Sequence, residues 1–236
     1  MRRVLIGTPC YDGKTDVWYN DSLNNSIRLA LKMDIDLQVV YMAYDSLVQR
    51  ARNDIVKLAI ENDFDDLVFI DSDQGWKPES LFRMLDHPVD VVGAPVPKKT
   101  DAQEIYNVRI NNIAQFGTPY TWDYPTNGLI PVDGIGTGML RLSKKALQDL
   151  WNISEVYRNE GRESRMVFDI KIVNGDLVSE DNIVCNKLKD LGYPIYVDRT
   201  MTCSHIGVKK WEGNFEKYLI KKIQESDRQY LEQAAA

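Results

Sequence analysis

Hydrophobic positions along this chain come in short blocks that alternate between strand-like runs and helix-like spacing. Val4-Leu5-Ile6 is a compact apolar run ahead of Gly7, the pattern of a buried strand. Asn20 to Lys32 reads as a helix, and Leu37 to Met42 as a second strand rich in strand-favouring side chains. From Ser46 onward, Leu47, Ala51, Ile55, Leu58 and Ala59 recur at helical spacing. Leu67 to Ile70 is a third strand. Pro78 to Leu85 is a short helix with proline in its first turn, and Val89 to Gly93 is a fourth strand. Strand and helix alternating in this way predict an α/β fold with a mostly parallel sheet and helices on both faces.

The second half is less regular. Lys98 to Thr126 is polar, with interspersed aromatics and prolines, and is expected to form loops and one or two short strands. Leu129 to Val132 and Met139 to Leu142 read as strands that flank Asp133-Gly134-Ile135-Gly136-Thr137-Gly138. Lys144 to Trp151 is a helix. Asn152 to Asp176 is expected to be an irregular, partly mobile excursion that contacts an acceptor. Glu180 to Leu191 is a helix with Ser179 as its N-cap. Gly192-Tyr193-Pro194 ends it and leads into the strand Ile195 to Val197, and Trp211 to Gln233 reads as a closing helix.

Composition narrows the class. At 236 residues, 44% hydrophobic and 27% charged, the chain fits a single soluble α/β domain. A formal net charge of −6 argues against a general nucleic-acid coat protein, which needs a basic footprint. The pairs Lys98-Lys99, Lys144-Lys145, Lys209-Lys210 and Lys221-Lys222 leave room for a small basic groove. Cys10, Cys185 and Cys203 are odd in number and widely spaced, so no disulfide framework is expected. The amino terminus is too short in apolar residues for a signal-peptide core, and no run approaches the ~18 apolar residues of a membrane helix. The expected setting is a reducing cytoplasm, with no membrane partner.

The candidate chemistry starts at Asp71-Ser72-Asp73, directly after the apolar run Leu67 to Ile70. Open α/β sheets bind their ligands at the C-terminal ends of such strands. Two carboxylates one residue apart there can share a divalent cation and the phosphates it carries; a polar strand end is the competing account. The loop Thr8-Pro9-Cys10-Tyr11-Asp12 is expected at the same sheet edge, where a backbone amide, a hydroxyl and an aromatic face can hold a nucleobase and ribose, or it is a turn with no ligand. Arg50, Arg52 and Asn53 share one helical turn and can bond a base, ribose or phosphate, or simply face solvent. Gly136-Thr137-Gly138 lacks the order of a dinucleotide fingerprint. It permits close backbone approach to a ligand, or forms a plain hairpin turn. Glu180 and Asp181 complement a helix N-terminus or act as a general base. His205 is either structural or the imidazole that completes a cation site; His87 reads as structural.

Taken in order, these segments resemble the GT-A-fold glycosyltransferases, specifically the family 2-like enzymes. The resemblance rests on Ala51-Arg52-Asn53, Val68-Phe69-Ile70-Asp71-Ser72-Asp73, Gly136-Thr137-Gly138 and Ser179-Glu180-Asp181, continued by Cys185, Gly192, Asp198 and His205-Ile206-Gly207. It implies one GT-A catalytic domain over 1–236, with a Rossmann-like mixed sheet, residues 1–100 as the nucleotide-binding half and 101–236 as the acceptor half. It implies that Asp71, Asp73 and His205 form a site for Mn²⁺ or Mg²⁺, with Asp71 nearer the donor's ribose. Thr8, Pro9, Tyr11, Arg50, Arg52, Asn53, Ser72 and Gly136 to Gly138 fall to the donor. Asp181 becomes the base of an inverting reaction, with Glu180 second in line.

The expected activity is transfer of a sugar from a nucleotide-diphosphate sugar to an acceptor hydroxyl. The chain is short and looks like compact phage members of that group, some of which glycosylate hydroxymethylated pyrimidines in DNA. A glycan or other small acceptor is the alternative. A nucleotidyltransferase also uses two acids and a cation, but it more often carries a glycine-rich basic loop, and Gly7 to Gly13 contains no arginine. A non-catalytic nucleotide-sugar or nucleic-acid binding module would bind without turnover.

Overall fold

The computed structural model describes residues 1–113, 127–159 and 161–234. The chain opens with β1 (Arg2–Cys10), α1 (Val17–Ala30), β2 (Ile35–Ala43), α2 (Val48–Glu61) and β3 (Asp66–Ile70). A short β4 (Gln74–Gly75) precedes α3 (Pro78–Asp86) and β5 (Val91–Gly93). Then come β6 (Val108–Arg109), β7 (Leu129–Val132), β8 (Gly134–Ile135), β9 (Met139–Ser143) and α4 (Lys144–Ile153). Two hairpins follow, β10 (Val156–Asn159) with β11 (Arg162–Arg165) and β12 (Lys171–Val173) with β13 (Asp176–Val178). The remainder is α5 (Glu180–Asp190), β14 (Ile195–Asp198), β15 (Ser204–Ile206), β16 (Lys210–Trp211) and α6 (Phe215–Ala234).

Seven strands form the central sheet in the order β2-β1-β3-β9-β5-β14-β7. β1 runs parallel to β2 and β3, and β14 parallel to β5; β9 is antiparallel to both its neighbours and β7 to β14. This is the α/β class with a mixed sheet that the sequence predicts. The inserted β9 is not apparent in the hydrophobic pattern, because Met139 to Leu142 is buried whichever way it runs. Alternate side chains of β1, β3 and β9 serve opposite faces. Leu5, Phe69 and Leu140 pack with Ile55, Leu147, Phe168, Val184 and Phe215; Val4, Ile6, Val68 and Met139 pack with Tyr19, Trp76 and Leu81. Both cores draw on both halves of the chain.

An ion cluster locks the strand order. Asp66 is 1% exposed and receives Arg2 Nε from β1 and Arg141 Nε from β9, each at 2.6 Å. Arg141 also donates to the backbone carbonyls of His87 and Val89, just before β5. On the other face, Gly7 lets α2 seat against β1, since a Cβ there would lie 2.3 Å from Ile55 Cγ2.

Two expectations need correction. The closing helix begins at Phe215, not Trp211: Trp211 pairs with β15, and Asn214 accepts the Lys217 N–H at 3.0 Å as a cap. Ser179 occupies the N-cap position of α5, but its side chain makes no capping hydrogen bond. The segment from Asn152 to Asp176 contains strands of both hairpins, the second turning on Asn174-Gly175, both with positive φ. Of the stretch Lys98 to Thr126, residues 114–126 lie outside the described residues, and β6 is its one described strand.

Asp66→Ala would leave Arg141 buried without its carboxylate. The expected loss is about 3–5 kcal/mol of unfolding free energy by denaturant titration. A loss below about 1 kcal/mol would show that the cluster does not hold the sheet together.

Candidate active site

The C-terminal end of β3 delivers Asp71 to the sheet edge, where its backbone N–H donates to Gly138 O at 3.1 Å. Arg52 projects from α2 into the same place and is 4% exposed. Its Nη2 meets Asp71 Oδ1 at 3.0 Å, and its Nη1 lies 2.5 Å from Glu180 Oε1 and 3.7 Å from Asp181 Oδ1. Thr137 Oγ1 donates to Asp181 Oδ1 at 2.6 Å. One guanidinium therefore gathers three carboxylates, and the balance leaves the acids short of compensation. Burial pushes the Asp71 carboxyl up, and the charges of Asp73 and Asp181 add to that; Arg52 opposes it. Burial likewise raises Asp181, against Arg52 and Thr137. Burial works against the Arg52 charge, but Asp71, Asp181 and Glu180 outweigh it and raise its pKa.

Asp73 is placed by the pairing of β15 with β4, which sets His205 opposite Gln74. The Ile206 N–H donates to Asp73 O at 2.8 Å. Gln74 Nε2 donates to Asp73 Oδ1 at 3.3 Å. The other oxygen, Oδ2, faces Lys99 Nζ at 2.5 Å and His205 Nε2 at 3.5 Å. His205 Nδ1 lies 2.8 Å from the carbonyl of Pro97. A carbonyl only accepts, so Nδ1 carries a proton, and Nε2 is the ring nitrogen that faces Asp73. Burial works against the Asp73 charge. His205 when protonated, together with Lys99, outweighs burial and brings this carboxyl down to about 2.

The three residues expected to hold a cation are only partly gathered. Asp73 and His205 meet, whereas Asp71 is turned to Arg52. Among the described residues no group of three His, Cys, Asp or Glu side chains could hold a metal ion. Two protein ligands plus substrate phosphates and water are still an ordinary arrangement for Mg²⁺.

The other sequence candidates divide sharply. Thr137 and Gly136 stand against Asp181, and a Cβ at Gly136 would lie 3.4 Å from Asp181 Oδ2. Gly138 lies beside Asp71 and Gln74. The Ser72 carbonyl accepts the Asp16 N–H at 2.9 Å, tying the loop after β1 to the acidic triplet. Tyr11 is exposed in that loop, and Pro9 is half-buried within β1. Thr8 is fully buried, with Oγ1 2.6 Å from Tyr19 OH. Asn53 is fully buried and grips the backbone of Phe168 through both ends of its amide, at 2.7 and 3.0 Å. Arg50 forks onto Asp45 at 2.7 and 2.8 Å. The side chains of Thr8, Arg50 and Asn53 are thus engaged by the protein's own groups.

Sequence reasoning missed Gln74, Lys99, Asn107 and Arg109. A cleft of about 300 Å³ runs past Asp181, lined by Lys98, Asn107, Arg109, Gly136, Ser179 and Asn182 among others. Asn107 Oδ1 accepts from Val96 N at 2.8 Å, and Arg109 Nη1 donates to Asn182 Oδ1 at 2.6 Å. The available signal was position: Ala94 to Lys99 directly follows β5 at the ligand edge of the sheet. A larger cavity, about 460 Å³, lies between α2 and β11 and contains none of these residues.

No protein-family model matches the chain, and no curated protein matches it at a significant level. Among solved structures it is similar to A197 from STIV, at 17% identity and a TM-score of 0.52, over 88% of this chain and 86% of that one. This likeness shows a shared fold. It is also similar to a glycosyltransferase involved in glycosylation of the major capsid of PBCV-1, at 12% identity and a TM-score of 0.35, over 63% of each chain. A third is S. aureus TarS 1-349 in complex with UDP-GlcNAc, at 15% identity and a TM-score of 0.42, over 92% of this chain and 61% of that one.

A carboxylate whose folded-state pKa exceeds its unfolded value costs stability once ionised. The cost is absent below the unfolded pKa, grows as pH rises toward the folded pKa, and is complete above it. Asp181→Asn removes that cost at neutral pH while keeping an acceptor for Thr137. It should raise Tm by about 2 °C; a lower Tm would mean that Asp181 stabilises the fold.

Proposed function

We propose that the protein is a glycosyltransferase that moves a sugar from a nucleotide-diphosphate sugar to an acceptor hydroxyl. The observation that carries this reading is Asp181: a carboxylate held on one side by Arg52 and Thr137 and open on the other to a polar cleft. Thr137 occupies Oδ1, so Oδ2 is the atom left for an acceptor. Burial raises the pKa of Asp181 against the pull of Arg52 and Thr137, the direction that strengthens a carboxylate as a general base. The acceptor O–H gives its proton to Oδ2 as its oxygen attacks the sugar's anomeric carbon and the bond to the departing diphosphate breaks. Glu180 and Arg52 are positioning residues here, since Glu180 is spent on the guanidinium.

Asp73 and His205 are the residues that would hold Mn²⁺ or Mg²⁺, since the Pro97 carbonyl takes Nδ1 and Nε2 faces the same space as Asp73 Oδ2. When bound, the ion would neutralise charge on the departing diphosphate. Lys98 and Arg109 on the cleft favour an acceptor that carries phosphate, and a hydroxymethylated pyrimidine in DNA meets that description.

Incubation with Mn²⁺, nucleotide sugars and hydroxymethylcytosine DNA should yield glycosylated DNA and a free nucleoside diphosphate, with unmodified DNA inert. Asp181→Asn should lower kcat by about 10²–10⁴-fold without weakening donor binding. Its acid limb in the wild-type profile should lie above the ordinary carboxylate range. Full activity in Asp181→Asn would remove the base, pyrophosphate as product would indicate nucleotidyl transfer, and transfer only to glycans would reassign the acceptor.

A further inference from the structure

We propose that Lys99 is a displaceable cation: its ammonium occupies the seat beside Asp73 and His205 in the free protein, and a divalent ion drives it onto the donor's diphosphate. The proposal rests on the cation site of the preceding reading and adds a moving part to it.

Asp73 Oδ2 faces both Lys99 Nζ and His205 Nε2, at 2.5 and 3.5 Å, while Oδ1 is taken by Gln74. With Nδ1 bound at the Pro97 carbonyl, Nε2 is the ring nitrogen that faces the same oxygen. The ammonium is the nearer of the two groups to Oδ2 and supplies the positive charge beside that carboxylate. A divalent ion bound to Oδ2 and Nε2 would compete for the same oxygen and repel the ammonium, so the two cations exclude each other there.

Lys99 is also built to move. It lies in the loop after β5, and its side chain is 34% exposed. Its stem runs over Gly207, where a Cβ would already touch Cδ at 3.4 Å and Cε at 3.6 Å. A flexible stem with a point charge can swing between two anions, which a planar guanidinium locked in a fork does less readily. The anion nearest at hand once Asp73 is taken is the diphosphate that the ion itself would carry.

Titration of Mn²⁺ into the nucleotide-free protein, read by electron paramagnetic resonance of the free ion, tests the displacement without any sugar transfer. Lys99→Met should bind Mn²⁺ at least tenfold more tightly than wild type. In the presence of Mn²⁺ it should bind a nucleoside diphosphate about tenfold more weakly, having lost the ammonium's second partner. Lys99→Gln should behave the same way, and both variants should keep the wild-type Tm within a few degrees because the side chain packs at the surface. Unchanged or weaker Mn²⁺ binding by both variants would overturn the proposal. So would no Mn²⁺ binding by any form, which would also strip the cation from the functional reading. Tighter Mn²⁺ binding in a protein that transfers no sugar would uphold Lys99 and sink the transferase reading instead.

Discussion

Arg52 is buried among carboxylates that converge on it, and the site depends on that convergence. A guanidinium this deeply enclosed is costly unless it is paired and hydrogen-bonded. The partners come from two distant places, Asp71 at the end of β3 and Glu180-Asp181 at the start of α5. Satisfying Arg52 therefore fixes α2, the tip of the sheet and the head of α5 relative to one another. The pairing also leaves the acids in excess, so Asp71 and Asp181 carry raised pKa values. Their place in the fold is kept by a residue that cannot neutralise them all.

The mixed sheet explains how that cluster acquires its surroundings. The antiparallel β9 sits between β3 and β5, so the turn before it brings Thr137 and Gly138 beside Asp71 and Asp181. An all-parallel sheet would have sent that turn to the opposite edge. The loop after β5 then returns past Asp73 with Pro97 and Lys99. The placement of Thr137 and Gly138 against the acids follows from one strand's direction, and that strand is locked from below by Asp66 between Arg2 and Arg141.

The first half of the fold was legible because local pattern and tertiary role agree there. Leu67 to Ile70 is a fully buried run that ends in acids, and the structure makes it β3 with Asp71 at its tip. The direction of β9 was not legible, since its buried run has no amphipathic alternation to orient it. Asn174-Gly175 did carry a hairpin signal, the dipeptide suited to successive positive-φ positions, yet the segment was read as irregular. Among the site residues, type alone misleads. Arg50, Arg52 and Asn53 share one helical turn, but Arg50 clamps Asp45 and Asn53 clamps Phe168, while Arg52 alone of the three reaches the acids. Lys99 looked like half of a surface lysine pair, because the carboxylate it meets is 26 residues away.

On the proposed reading, the edge formed by Asp73 and His205 receives a nucleotide's diphosphate while Asp181 faces the cleft beside it. A crystal structure of the protein grown with Mn²⁺ and a nucleoside diphosphate tests it most directly. The account predicts the ion on Asp73 Oδ2 and His205 Nε2, the phosphates against it, Arg52 still holding Asp71, and Asp181 Oδ2 open to the cleft. A nucleotide seated instead in the cavity between α2 and β11, with Asp73 and His205 untouched, would contradict it.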